Sequence, residues 1–173
     1  MAFDRIEFVE LLENSYSAYY NIIKEDLPTE LPMAFRAEFY QRGEKYWLLK
    51  SIPIYGNETD EYCYVFTKDE FDEEIVDKCI KYCLDDGLPR VKPHKEHQYT
   101  NIKTIFIADS FTDDAVRKIK KTEFSKSYHF SLWGYSNLLN SAVDVKEENI
   151  YTNKAGYEMK SYFKKLFAAQ KKK

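Results

Sequence analysis

Three histidines, three cysteines and a scatter of carboxylates carry the reactive chemistry of this chain, and their spacing limits what they can do. The best metal candidate is His94-x-x-His97 with Glu96 between, because imidazoles three residues apart can share one ion on a helical turn. Pro93 just before the pair, lysine-rich surroundings and no cysteine close in sequence argue for a solvated loop instead, so no metal is expected. His129 falls in a segment that reads as a strand and is taken as a sheet-face residue rather than a ligand or base. Cys79 and Cys83, one helical turn apart on an apolar face, read as small hydrophobes in a reducing compartment. Glycines stand at 43, 56, 87, 134 and 156, too far apart to build a phosphate cradle, and no serine has the Gly-x-Ser-x-Gly context. No cofactor is therefore expected.

Asp109 ends an apolar run just before a helix, where open α/β sheets place binding residues. The same aspartate serves equally well as a helix-entry residue feeding negative charge to the N-terminal dipole, as do Asp113 and Asp114, and that reading is favoured. With Trp133, Tyr135, Asp144 and Tyr151, Asp109 forms the candidate ligand or partner surface. Trp133, Tyr135 and Tyr151 are expected to make an aromatic patch on one side.

The elements that must position these residues follow from periodicity. Ile6, Val9, Leu12, Tyr16, Tyr19, Tyr20 and Ile23 recur at helical spacing and predict one helix from Asp4 to about Lys24, with Asp4 and Glu7 as a capping box. Alternation over Met33–Tyr40, a turn at Gln41-Arg42-Gly43-Glu44 and a return over Lys45–Ile52 predict a hairpin, followed by a strand at Glu61–Phe66. A helix is expected from about Glu70 to Asp86, burying Phe71, Ile75, Val76, Cys79, Ile80 and Cys83 and stopping at Gly87. Residues 88–101 read as a polar loop. The apolar run Thr104–Ala108 reads as a strand covered on both faces, hence the sheet centre. A short basic helix capped by Thr112 runs to about Lys121, then strands at Tyr128–Trp133, Leu138–Val145 and Asn149–Thr152. The turn Asn153–Gly156 leads into a last helix bearing Tyr157, Tyr162, Phe163, Leu166 and Phe167. The fold class is α+β with one mixed sheet in a single domain over 1–169, followed by a frayed basic tail at 170–173.

Composition narrows the function classes. At 44% hydrophobic and 32% charged, with no apolar run near bilayer length and no secretory start after Met1, the chain reads as cytoplasmic. Residues 1–86 hold 20 acidic and 9 basic side chains, and residues 87–173 hold 9 and 17, within a net charge of −3. That split motivates an expectation of self-association between an acidic and a basic surface. A sequence pI near 5.7 argues against nucleic acid as the partner of the lysines at 118, 120, 121, 160, 164 and 165.

Two resemblances add to this reading. Phe130-Ser131-Leu132-Trp133-Gly134-Tyr135, Ala142-Val143-Asp144-Val145 and Ile150–Gly156 resemble a pattern in small uncharacterised bacterial proteins of unknown function, from about Lys103 onward. The resemblance implies no activity. The element order also resembles the restriction-endonuclease-like superfamily, which implies a divalent metal held by an Asp near the second strand and a Glu-x-Lys or Asp-x-Lys on the third. Here Cys63 stands where that lysine belongs, and only Glu38 and Lys50, beside Glu61, could relocate the pair. The expectation is a non-catalytic protein acting through protein contacts or a small ligand. The alternative is a divergent metal-dependent nuclease or nucleic-acid-processing domain.

Overall fold

The computed structural model describes residues 4–42 and 58–172. Its elements are α1 (Arg5–Tyr16), β1 (Asn21–Ile23), β2 (Met33–Gln41), β3 (Glu58–Phe71), α2 (Glu73–Gly87), β4 (His97–Phe111), α3 (Asp113–Lys121), β5 (Ser125–Ser127), β6 (Tyr135–Asp144), β7 (Asn149–Thr152) and α4 (Met159–Gln170). The fold is α+β, built on one mixed sheet in the order β1-β2-β3-β4-β6-β5, with β7 pairing the far half of β6. β3, β4 and β6 run parallel at the centre, and β1, β2, β5 and β7 pair antiparallel around them.

Strand alternation splits the interior in two. Cys63, Val65, Ile105, Ile107, Leu139 and Val143 face α1 and α4, burying Phe8, Leu12, Phe163 and Phe167 from the helices. Tyr64, Phe66, Ile102, Phe106, Leu138 and Ala142 face the other way, onto Val76, Cys79, Ile80 and Cys83 of α2 and Ala115 and Ile119 of α3. This is why Thr104–Ala108 reads as a continuous apolar run: both faces of β4 are covered. α1 and α4 lie antiparallel, since Phe8 meets Phe167 at 4.8 Å while Tyr16 meets Tyr162 at 5.8 Å.

Local signals explain the boundaries. Asp4 caps α1 through Ile6 N, Asp72 caps α2 through Ile75 N, and Thr112 caps α3 through Ala115 N. Glu7 does not complete the predicted capping box; its carboxylate accepts from Gln170 Nε2 instead. The first helix also stops at Tyr16 rather than near Lys24, because Ile22 and Ile23, β-branched, gain ladder bonds to β2 as β1. β4 begins at His97, so the last five residues of the predicted 88–101 loop are strand. The predicted hairpin turn beyond Arg42 and its return strand, Lys45–Ile52, lie outside the described residues; among the described residues β2 pairs with β1 and β3.

Tyr128–Trp133 is not a strand. β5 occupies only Ser125–Ser127, and His129, Phe130 and Ser131 follow at φ 48°, 54° and 67°, a left-handed turn closed by Leu132 N donating to His129 O at 3.0 Å. Gly134, at φ 75°, ends that turn, where an added Cβ would stand 2.3 Å from Gln98 O. Gly156 answers to a different constraint, close approach: a Cβ there would stand 2.6 Å from Asn140 O.

Candidate functional site

The residues singled out in the sequence fall at two ends of the sheet. Asp109 and Asp144 sit at the C-terminal ends of β4 and β6. Asp109 lies 3.9 Å from Arg5 Nε and 3.5 Å from Lys146 Nζ, so it ties α1 and the β6–β7 turn to the sheet. Asp144 Oδ1 accepts from Lys146 N and Glu147 N at 3.1 and 2.9 Å, closing that turn. Tyr151 packs edge-on to Phe111 at this same end. Trp133 and Tyr135 are at the opposite end, where Tyr135 is in register with Tyr99 at the start of β4. Trp133 stacks on His129 at 4.5 Å and Tyr135 on Tyr99 at 5.9 Å. The expected single aromatic patch is therefore two separate ones, because Tyr135 opens β6 whereas Tyr151 is in register with Ala142 near its far end.

The two histidines of His94-x-x-His97 are used apart. His97 is buried, with Nδ1 2.6 Å from Trp133 O and Nε2 2.9 Å from Thr100 Oγ1, so both ring nitrogens hold the protein's own groups. His94 turns to Glu58, at 2.9 Å. Among the described residues no group of three or more His, Cys, Asp and Glu could hold a metal ion. Glu38 pairs in register with Tyr62, and Glu61 with Phe39, so the two carboxylates project from opposite faces of the sheet. Lys50 lies outside the described residues. Glu38 binds Arg90 at 2.7 Å over α2, whereas Glu61 lies under α1.

It is Glu61 that opens onto the most unusual chemistry in the fold. On the α1/α4 face, Cys63 and Lys103 are register partners, and two residues earlier Glu61 and Asn101 are partners as well. Lys103 Nζ lies 2.6 Å from Glu61 Oε2, with each side chain only 13% exposed, and Tyr20 donates its hydroxyl to the same oxygen. An ion pair taken this far out of water costs desolvation that an apolar pair would avoid, so its retention points to use rather than to stability.

Above this pair is a cleft of about 380 Å³. Its walls are Ser15, Tyr16, Tyr19 and Tyr20 at the end of α1, and Glu158, Met159 and Tyr162 at the start of α4. Its floor is Glu61, Tyr99, Asn101, Lys103 and Leu139. Tyr16 and Tyr20 stack at 4.4 Å, a contact made possible by the chain leaving α1 through a tight turn in which Tyr20 N donates to Tyr16 O. Tyr162 bonds Ser15 Oγ at 2.9 Å and joins the two helices across the cleft.

Protonation states in the cleft follow from burial. Burial pulls the Lys103 pKa down, but negative charge at Cys63 and Glu61 and the Glu61 hydrogen bond outweigh it, and the net value is raised. At neutral pH Cys63 is a thiol, since burial lifts it to about 12, so the charge that counts for Lys103 is Glu61's. Burial likewise lifts the phenols of Tyr16 and Tyr20 far above the usual range, with neighbouring negative charge adding to it.

A second groove, of about 510 Å³, runs beside β2 and β3 and is lined by Tyr40, Arg42, Glu58, Asp60, Arg90 and His94 among others. Its charges meet in partly exposed pairs, Arg42 with Asp60 at 2.6 Å and with Glu58 at 3.7 Å, which is ordinary surface chemistry. The tyrosine cleft is the better candidate because its polar groups are buried beneath apolar walls.

In the sequence Glu61 stands out only beside Glu38 and Lys50, and Tyr16, Tyr19 and Tyr20 fit one helical stripe. The signal for Lys103 is its place just before the Thr104–Ala108 run, since a lysine in a doubly covered strand is a charge that must be paired. No curated protein and no solved structure matches this chain. A family model does match, over residues 4–165, which spans every element from the α1 cap to the middle of α4. By that match the chain belongs to the family described as Domain of unknown function (DUF8052).

Proposed function

We propose that this domain is a non-catalytic cytosolic binding module that holds a small molecule in the tyrosine cleft between α1 and α4. The observation that carries the reading is the buried Lys103–Glu61 pair on the floor of a cavity with five tyrosines in its lining. Rings give contact area and the pair gives directional hydrogen bonding, the combination expected of small-ligand sites. The Lys103 ammonium, the buried phenols and the Cys63 thiol all hold their protons at neutral pH, which suits recognition better than proton transfer or nucleophilic attack. A cytosolic address is supported by three thiols packed among apolar side chains, the cysteine usage of a reducing compartment.

The test is a fragment screen of mixed chemistry read by amide chemical shifts. Perturbations concentrated at Ser15–Tyr20, Tyr99–Lys103 and Glu158–Tyr162 are expected. Perturbations confined to the groove lined by Arg42, Asp60 and His94, or none anywhere, would overturn the reading.

A further inference from the structure

Resting on that cleft as a small-molecule site, we propose that its occupant is an uncharged nitrogen heterocycle with a hydrogen-bond donor and acceptor side by side, a free nucleobase rather than a nucleotide. Three observations narrow the ligand to this class.

The first is Asn101. It stands on β4 two residues before Lys103, on the same face and in register with Glu61, and it lines the cleft half-buried. Its side-chain amide makes no hydrogen bond among the described residues, unlike the amides of Asn140 and Asn153 nearby, which are fully engaged. A carboxamide offers one donor and one acceptor in a plane, the complement of a ring nitrogen beside an amino group.

The second is charge. Lys103 and Glu61 cancel, and the remaining ionised group in the lining is Glu158, exposed at the rim. An anion would meet no unpaired cation. At the start of α4, two backbone donors that a phosphate could use are already taken, since Met159 N bonds Gly156 O at 3.0 Å and Lys160 N bonds Tyr157 O at 3.1 Å. The chemistry therefore accepts a neutral ring and rejects its phosphorylated form.

The third is shape. Tyr16 and Tyr20 stack with their planes nearly parallel, 14° apart, and Tyr19 extends at the mouth with 79% of its surface exposed, free to cover a flat ligand. A volume of about 380 Å³ is at the small end for organic ligands and suits one ring system.

Calorimetric titration of the full chain with adenine, guanine and cytosine, their 5′-monophosphates, and indole as a flat control tests this. At least one base should bind, its monophosphate should bind about tenfold more weakly or worse, and Asn101→Leu should weaken the base about tenfold while leaving indole unchanged. Near-ultraviolet circular dichroism confirms that Asn101→Leu is folded, and Asn101→Asp, which keeps the acceptor and loses the donor, should weaken the base as well. Binding of indole alone would overturn the nucleobase assignment and leave the cleft reading standing. Tighter binding of monophosphates, or bases held equally well by Asn101→Leu, would overturn the assignment too. No binding by any of these probes would overturn the nucleobase assignment, while the cleft reading is decided by the fragment screen.

Discussion

Lys103 and Glu61 make a sharp test of what a buried pair contributes. Removing one partner leaves an uncompensated charge under α1, so Lys103→Met alone and Glu61→Leu alone should each cost about 3–5 kcal/mol in urea unfolding, whereas the double substitution should recover most of that loss. Full recovery would mean that the pair is kept for recognition and not for stability. Asn153 shows the opposite logic. Its Oδ1 accepts from Asn140 N and Gly156 N, and its Nδ2 donates to Thr122 O and Leu138 O, all within 2.9–3.0 Å, so one side chain binds the α3 exit, β6 and the turn before α4. Asn153→Ala should cost more than about 2 kcal/mol by the same measurement, because four backbone groups each lose a hydrogen bond at once.

Among the elements, those with strong periodicity and caps were legible in the sequence. α2, α3 and the doubly covered β4 follow from the Ile75–Cys83 apolar stripe, the Thr112 cap and the Thr104–Ala108 run, though α2 starts after Asp72 rather than at Glu70, and Phe71 belongs to β3. The missed elements share a physical cause: short strands whose existence depends on a neighbour. Ile22 and Ile23 fit a helical stripe as well as a strand, and only pairing with β2 decides between them. The 128–134 segment is rich in strand formers, yet β5 stops after Ser127 and the chain turns left-handed at His129. The candidate site was hidden for a related reason. Tyr16 and Tyr20 line it only because α1 ends between them, and Glu61 meets Lys103 only through the parallel β3–β4 register. The left-handed turn gives its own prediction. Gly134→Ala should cost more than about 2 kcal/mol, from positive φ and the clash with Gln98 O, while Phe130→Gly at an exposed position should be tolerated or slightly stabilising. Thermal melts of the two variants check both signs.

For the whole molecule, the folded arrangement gives the charge split a use. Acidic α2 lies beside basic α3, with Asp77 and Lys118 2.6 Å apart, and acidic α1 lies beside lysine-bearing α4 on the opposite face. The proposal that a second copy also uses these charges requires a dimer that weakens with salt in sedimentation. One monomer at every ionic strength would leave the split as an internal device. The buried phenols set the behaviour at high pH. Unfolded, Tyr16, Tyr20 and Tyr64 lose their protons near pH 10; folded, each has its value raised by burial first. Their contribution to stability is thus intact below about pH 10 and is lost as pH climbs through the raised values. The tyrosinate absorbance of these buried rings should rise in one steep step together with loss of helical circular dichroism. The packing of Phe8 against Phe167 carries a consequence for synthesis. The sheet residues that α1 packs on precede α4, so the inner face of α1 can be covered in part early, but the side of Phe8 that meets Phe167 waits for nearly 160 more residues. A chain arrested before α4 therefore leaves that side of Phe8 open to solvent, which makes the growing polypeptide a client for a chaperone. The last helix is the step that ends that exposure.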